Sequence, residues 1–133
     1  MADAKDLRID ILRSELGRAR GMGSAKSGVG HWWAQRVSAI ALAPLTLWFI
    51  YNVLALGSAP QEAVVAWASA PLTLVLLITL AGMTFYHMQL GLQTVIEDYV
   101  HDEGKRLIAL LAVKAAAILL AVTAIVSILR IGL

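Results

Sequence analysis

Residues 71–97 read PLTLVLLITLAGMTFYHMQLGLQTVIE, and this run decides the fold. No Asp, Glu, Lys or Arg occurs between Glu62 and Glu97. A surface helix of a soluble protein keeps a charged face, whereas a helix crossing a bilayer needs about 20 predominantly apolar residues. Pro71 opens the run, so a membrane-spanning helix is expected over about residues 71–96, continuing as helix to Tyr99.

The flanking sequence repeats the pattern. Val37–Leu56 is free of charge and long enough to cross, with Trp32 and Trp33 just before it, where interfacial aromatics belong. Pro44 within it is expected to bend the helix, and Gly57–Glu62 reads as a turn. A third span covers about residues 107–129, interrupted by Lys114 and followed by Arg130. His101–Arg106 reads as the loop before it, and no internal repeat is detectable. Over the 133 residues, 59% are apolar and 15% charged, against about a quarter charged in soluble domains. The reading is an all-α membrane protein: a polar segment, 1–36, then a membrane domain, 37–133, with spans at about 37–56, 71–96 and 107–129. The bilayer is the solvent for most of the chain, so backbone amides there must be satisfied within helices.

The polar segment carries Lys5, Arg8, Arg13, Arg18, Arg20, Lys26 and Arg36. With Lys105 and Arg106 in the second loop, these basic residues lie on one side of the membrane, against Arg130 on the other. The positive-inside rule then places the N-terminus and the 98–106 loop on the cytoplasmic face, or the matrix face in a mitochondrion, with the C-terminus on the opposite side. Leu7 and Ile11 have helical spacing, and the glycine- and serine-rich stretch 21–30 reads as loop. No apolar stretch follows the early basic residues, so a secretory signal is not expected; Asp3, Asp6, Asp10 and Glu15 argue against a mitochondrial transit peptide. The chain has no cysteine, which excludes disulfides, cysteine-ligated clusters and covalently attached haem. The basic terminus has no nucleic-acid-reading motif.

Three spans of this size do not enclose a large site alone. Gly82, Gly91 and Ala115–Ala117 offer small surfaces for close packing against a partner, so a hetero-oligomeric subunit is expected. His87 is the one ionisable group of Asp, Glu, Lys, Arg or His type between Glu62 and Glu97. Neutral imidazole is a haem-iron ligand, and it is also a hydrogen-bonding group that pins helices together; both readings stand on the residues alone. Gly91 and Thr94 share the His87 face, where a glycine lets a flat macrocycle approach the backbone. Since His31 and His101 flank the membrane, a six-coordinate haem ligated by His87 would take its second axial ligand from another chain.

Asp98 lies eleven residues beyond His87, about 16 Å along a helix at ~1.5 Å per residue, and returns to the same face. Tyr99 is rotated from it by about 100°. A quinone carbonyl gains negative charge on reduction and calls for a hydrogen-bond donor such as a tyrosine hydroxyl, while Asp98 and His101 are proton-exchanging groups. The alternative is an interfacial tyrosine anchor beside solvated acids. Arg36, with Ser38 nearby, suits a haem propionate or a quinone, or serves as a membrane anchor. Lys114 suits snorkelling to the boundary or a lipid phosphate.

The segment His87-Met88-Gln89-Leu90-Gly91-Leu92-Gln93-Thr94-Val95-Ile96-Glu97-Asp98-Tyr99-Val100 resembles the H-x-x-x-G…D-Y signature of succinate dehydrogenase hydrophobic membrane anchors of the D type. Residues 17–28 and His31-Trp32-Trp33-Ala34-Gln35-Arg36 are similar to the alphaproteobacterial branch, and the likeness spans about 16–133. The resemblance implies a component of respiratory complex II, which links the tricarboxylic acid cycle to electron transport, in a bacterial inner membrane with the N-terminus cytoplasmic and the C-terminus periplasmic. It would be inactive alone and join a flavoprotein, an iron–sulfur subunit and a second, C-type membrane anchor in one helical bundle. It implies haem b shared with that second anchor through His87, with Arg36 near haem and quinone. Tyr99 and the neighbouring Asp98 would line a ubiquinone site. Fumarate reductase anchors look alike, and a cofactor-free structural subunit is the rival reading. His101-Asp102-Glu103 departs from the Lys-Pro of some relatives and leaves the role of His101 open.

Overall fold

The computed structural model describes Leu16 and residues 28–132, which form four helices after Leu16. Leu7 and Ile11, with their helical spacing, lie outside the described residues. Helix α1 runs Gly28–Ala55, α2 Gln61–Ser69, α3 Pro71–Tyr99 and α4 Glu103–Gly132. Helices α1, α3 and α4 are each long and apolar enough to cross a membrane. At ~1.5 Å per residue each is about 42–45 Å long, exceeding the ~30 Å hydrocarbon core.

The helices run beyond the expected spans. Among the described residues the first helix begins at Gly28, so Gly28–Gly30 is helix and not the expected loop. Absence of charge marks hydrocarbon, but helical hydrogen bonding continues into the polar zone until something breaks it, and residues 28–36 contain no proline. The loop expected at 101–106 shrinks to residues 100–102, because Asp102 is an N-cap. Its Oδ1 accepts the Lys105 backbone N–H at 2.8 Å, and its carbonyl accepts that of Arg106 at 2.9 Å. The short helix α2 is an element that hydropathy alone does not mark. It is separated from α3 by Ala70, held at φ −60°, ψ 129°. The following proline ring disfavours helical backbone at that residue, while Pro71 itself suits the first turn of α3. Pro44 lies inside α1, which remains one continuous helix.

Helix α3 is the centre of a layer. It packs against α1 on one side and α4 on the other, α1 and α4 make no backbone contact among the described residues, and α2 bridges α3 and α4. The buried described residues are Ser38, Ala68, Thr73, Leu90 and Ala117, mostly small side chains that let helices approach closely. Large apolar groups such as Ile40, Leu54 and Leu72 are more than 70% exposed. In water such a surface would be untenable; in lipid or against other helices it is stable. Two of the small residues expected to meet a partner are used within the chain. Ala117 is 4% exposed, and a Cβ on Gly91 would lie 3.6 Å from Gln35 Nε2.

Candidate functional site

His87 sits well inside α3, half-buried, against α1. Its Nδ1 lies 2.8 Å from Ser38 Oγ, and the same hydroxyl lies 3.0 Å from the Gln35 carbonyl one turn back on α1. Ser38 is 1% exposed, the most deeply buried side chain described. Among the described residues Nε2, at the opposite edge of the imidazole, has no hydrogen-bond partner. His87 forms the wall of an open groove of about 470 Å³ floored by Ala39, Leu42, Ala43, Thr46 and Leu47 of α1. Among the described residues no three or more His, Cys, Asp or Glu side chains gather to hold a bare metal ion. A single imidazole nitrogen beside an apolar groove does suit a haem, whose macrocycle supplies its own equatorial donors.

Toward the N-terminal end of α1, the two helices enclose a second cleft of about 410 Å³. It is lined by His31, Trp32, Gln35 and Arg36 of α1 and by Gly91, Thr94 and Val95 of α3. Among the described residues His31 Nε2 and Gln35 Oε1 are buried without a hydrogen-bond partner, a costly condition for polar atoms. The exposed Arg36 guanidinium stands 5.5 Å from the Trp32 ring centroid, within cation–π range. From the sequence His31 is expected only to flank the membrane. The signal that would have found this wall is the spacing His31, Gln35, Ser38, a polar stripe on one helical face opposite His87, Gly91 and Thr94. Gly91 therefore gives room to Gln35 of its own chain.

Asp98 is the next position along the α3 face that carries Gly91 and Thr94, and Tyr99 ends the helix. Both are exposed, Tyr99 by 78%, and neither makes a side-chain hydrogen bond among the described residues. Glu97 and Asp98 crowd the C-terminal end of α3, which has no basic residue in its last turn. Anions are disfavoured at that end of the helix dipole, a local cost characteristic of functional positions. His101 is exposed in the α3–α4 loop. The other side of α3 carries a polar ladder: Gln89 Nε2 donates to Gln93 Oε1 at 3.2 Å, and Gln93 Nε2 donates to Glu97 Oε1 at 2.8 Å. Gln89 and Lys114 line a groove between α3 and α4, away from the His87 face.

Comparison with known proteins assigns this arrangement to a family. The model of the succinate dehydrogenase/fumarate reductase transmembrane subunit matches residues 11–123. The succinate dehydrogenase hydrophobic membrane anchor subunit of Rickettsia bellii (strain RML369-C) is 37% identical over 116 residues, covering 87% of this chain and 93% of that protein. The succinate dehydrogenase membrane anchor subunit of Reclinomonas americana is 32% identical over 97 residues, covering 70% of this chain and 80% of that protein. The succinate dehydrogenase hydrophobic membrane anchor subunit of Paracoccus denitrificans is 36% identical over 83 residues, covering 61% and 63%. With three membrane-length helices and a family match over most of its length, the chain belongs to the succinate dehydrogenase/fumarate reductase transmembrane subunit family.

Proposed function

We propose that this chain is the D-type membrane anchor of a succinate:ubiquinone oxidoreductase, where it holds one side of a haem b and part of a ubiquinone-reducing site. One observation carries the reading: His87 is engaged at Nδ1 by Ser38, has no partner at Nε2 among the described residues, and lines an open apolar groove. A histidine that served only to pin α1 to α3 would not need to line such a groove. When bound, a haem would supply one-electron redox chemistry. His87 would be its ligand from this chain, the second ligand coming from the partner anchor. The polar wall of Arg36, His31 and Gln35 would meet its carboxylates.

The quinone would lie at the end of α3. Tyr99 donates its hydroxyl hydrogen to a quinone carbonyl as charge develops there, and Asp98 exchanges protons with the water beyond the membrane. Basic residues concentrated before α1 and at Lys105 and Arg106 support a cytoplasmic placement for this end. Electrons from succinate would arrive through the flavoprotein and iron–sulfur subunits, since this chain lacks the cysteines to hold a cluster. The apolar flanks left open by the helical layer support association with a second anchor and with lipid. The family description covers both succinate dehydrogenases and fumarate reductases, and the relatives named above are succinate dehydrogenase anchors.

The test uses the assembled complex. Co-expressed with its three partner subunits, the wild-type chain should yield the reduced-minus-oxidised difference spectrum of a b-type haem. His87→Leu should abolish it while the complex still assembles. An unchanged spectrum would overturn the ligand assignment and favour the structural role for His87.

A further inference from the structure

We infer that Ser38 is a positioning residue that sets the tautomer of His87, holding the proton on Nδ1 so that Nε2 carries the bare lone pair. The inference about the tautomer concerns this chain alone; its consequence for metal ligation rests on the haem reading above.

A count of hydrogens decides the direction of the bonds. Ser38 Oγ has two short polar neighbours, the Gln35 carbonyl at 3.0 Å and His87 Nδ1 at 2.8 Å, and one hydrogen to share between them. A carbonyl oxygen only accepts. If the hydroxyl hydrogen pointed at Nδ1, the serine and carbonyl oxygens would face each other at 3.0 Å with lone pairs opposed. If it points at the carbonyl, both contacts are satisfied, provided Nδ1 carries a hydrogen and donates it to Oγ. The result is a directional chain, Nδ1–H to Oγ–H to O=C, in which each bond polarises the next. Other helical hydroxyls here behave the same way. Thr79, Thr84, Thr94, Thr123 and Ser127 each direct their hydrogen to the carbonyl one turn back.

Burial makes the assignment hold. Ser38 is 1% exposed, so water does not compete for its hydroxyl, and α1 packs directly against α3, which carries His87. A histidine with Nδ1–H bonded and Nε2 bare is in the form that binds a metal, and the donated bond raises the basicity of the ligating nitrogen. The geometry thus divides labour across two helices: α3 brings the ligand, and α1 decides which nitrogen it offers.

Two measurements test this, and they fail separately. In the full-length chain in lipid nanodiscs with 15N-labelled histidine, the His87 signals are assigned by their loss in His87→Gln. The wild-type protein should show a protonated Nδ1 and an unprotonated Nε2. Ser38→Thr should retain this pattern, and Ser38→Ala should give mixed tautomers. Protonation of wild-type His87 at Nε2 overturns the inference whatever the haem does, and that observation requires no variant to fold. In the four-subunit complex, Ser38→Ala should weaken haem retention on the order of tenfold, read by haem transfer to excess apomyoglobin. It should also shift the low-spin electron paramagnetic resonance signal, with Ser38→Thr restoring both. Wild-type retention and resonance in Ser38→Ala would overturn the positioning role. A b-type spectrum surviving in His87→Leu would instead overturn the haem reading and leave the tautomer result standing.

Discussion

Trp67 donates its indole Nε1–H to Asn52 Oδ1 over 3.0 Å and thereby ties the short helix α2 to the first span. Asn52 passes the connection on, its Nδ2 donating to the Trp48 carbonyl at 2.7 Å. The Trp48 and Trp67 rings stack with centroids 5.8 Å apart. Since α1 and α2 make no close backbone contact, these three side chains carry the join. Asn52→Leu removes both bonds and strands an indole N–H, so it should cost about 1–2 kcal/mol. Detergent-unfolding midpoints of the purified complex, followed by tryptophan fluorescence, measure it; an unmoved midpoint would show that stacking alone suffices.

Asp102 should matter to α4 in a way that its exposure hides. As N-cap it takes up the Lys105 backbone N–H at 2.8 Å, and the acid also suits the positive end of the helix dipole. Asp102→Ala is expected to cost about 1 kcal/mol, with Asp102→Asn retaining most of the stability. Amide exchange at residues 103–106 is the local readout. It should quicken in the alanine variant and stay near wild type in the asparagine variant.

Asp102 and Trp67 also mark where the sequence is legible and where it is not. The spans can be read because lipid forbids unpaired backbone groups and unpaired charge, a constraint that leaves long blank runs such as Glu62–Glu97. Helix ends are harder. The acidic cluster after Tyr99 reads as loop until Asp102 is recognised as a cap, and Gly28–Gly30 reads as loop although nothing there stops a helix. Helix α2 is hidden inside an apolar block whose one internal mark is Pro71. His87 stands out as a polar residue in lipid, but its pairing with Ser38 joins residues on different helices, and periodicity along one helix carries no information about that.

The cleft between α1 and α3 makes Gly91 a size sensor. A Cβ there would make ordinary contact, 3.6 Å from Gln35 Nε2, so Gly91→Ala should be nearly neutral. A leucine would extend into the space beside His31, Gln35 and Arg36, and overpacking of this kind costs about 1–3 kcal/mol. Gly91→Leu should therefore lower both the unfolding midpoint and the haem content per complex. Full haem content in a stable Gly91→Leu complex would show that the cleft is not part of the cofactor site.

Tyr99 and His87 should separate in their effects, because they lie about 18 Å apart along one helix at ~1.5 Å per residue. Tyr99→Phe removes a hydroxyl that makes no hydrogen bond within the described chain, so folding and haem content should be unchanged. If that hydroxyl stabilises charge developing on a quinone carbonyl, quinone reduction should fall roughly ten- to a hundredfold. Succinate oxidation with an artificial acceptor that draws electrons from the soluble subunits should stay near wild type. Asp98→Asn should slow quinone reduction through proton supply, and the loss should be larger in the double variant if the two act on one quinone. Equal wild-type rates with both acceptors in Tyr99→Phe would remove the tyrosine from the quinone site and leave it as an interfacial anchor.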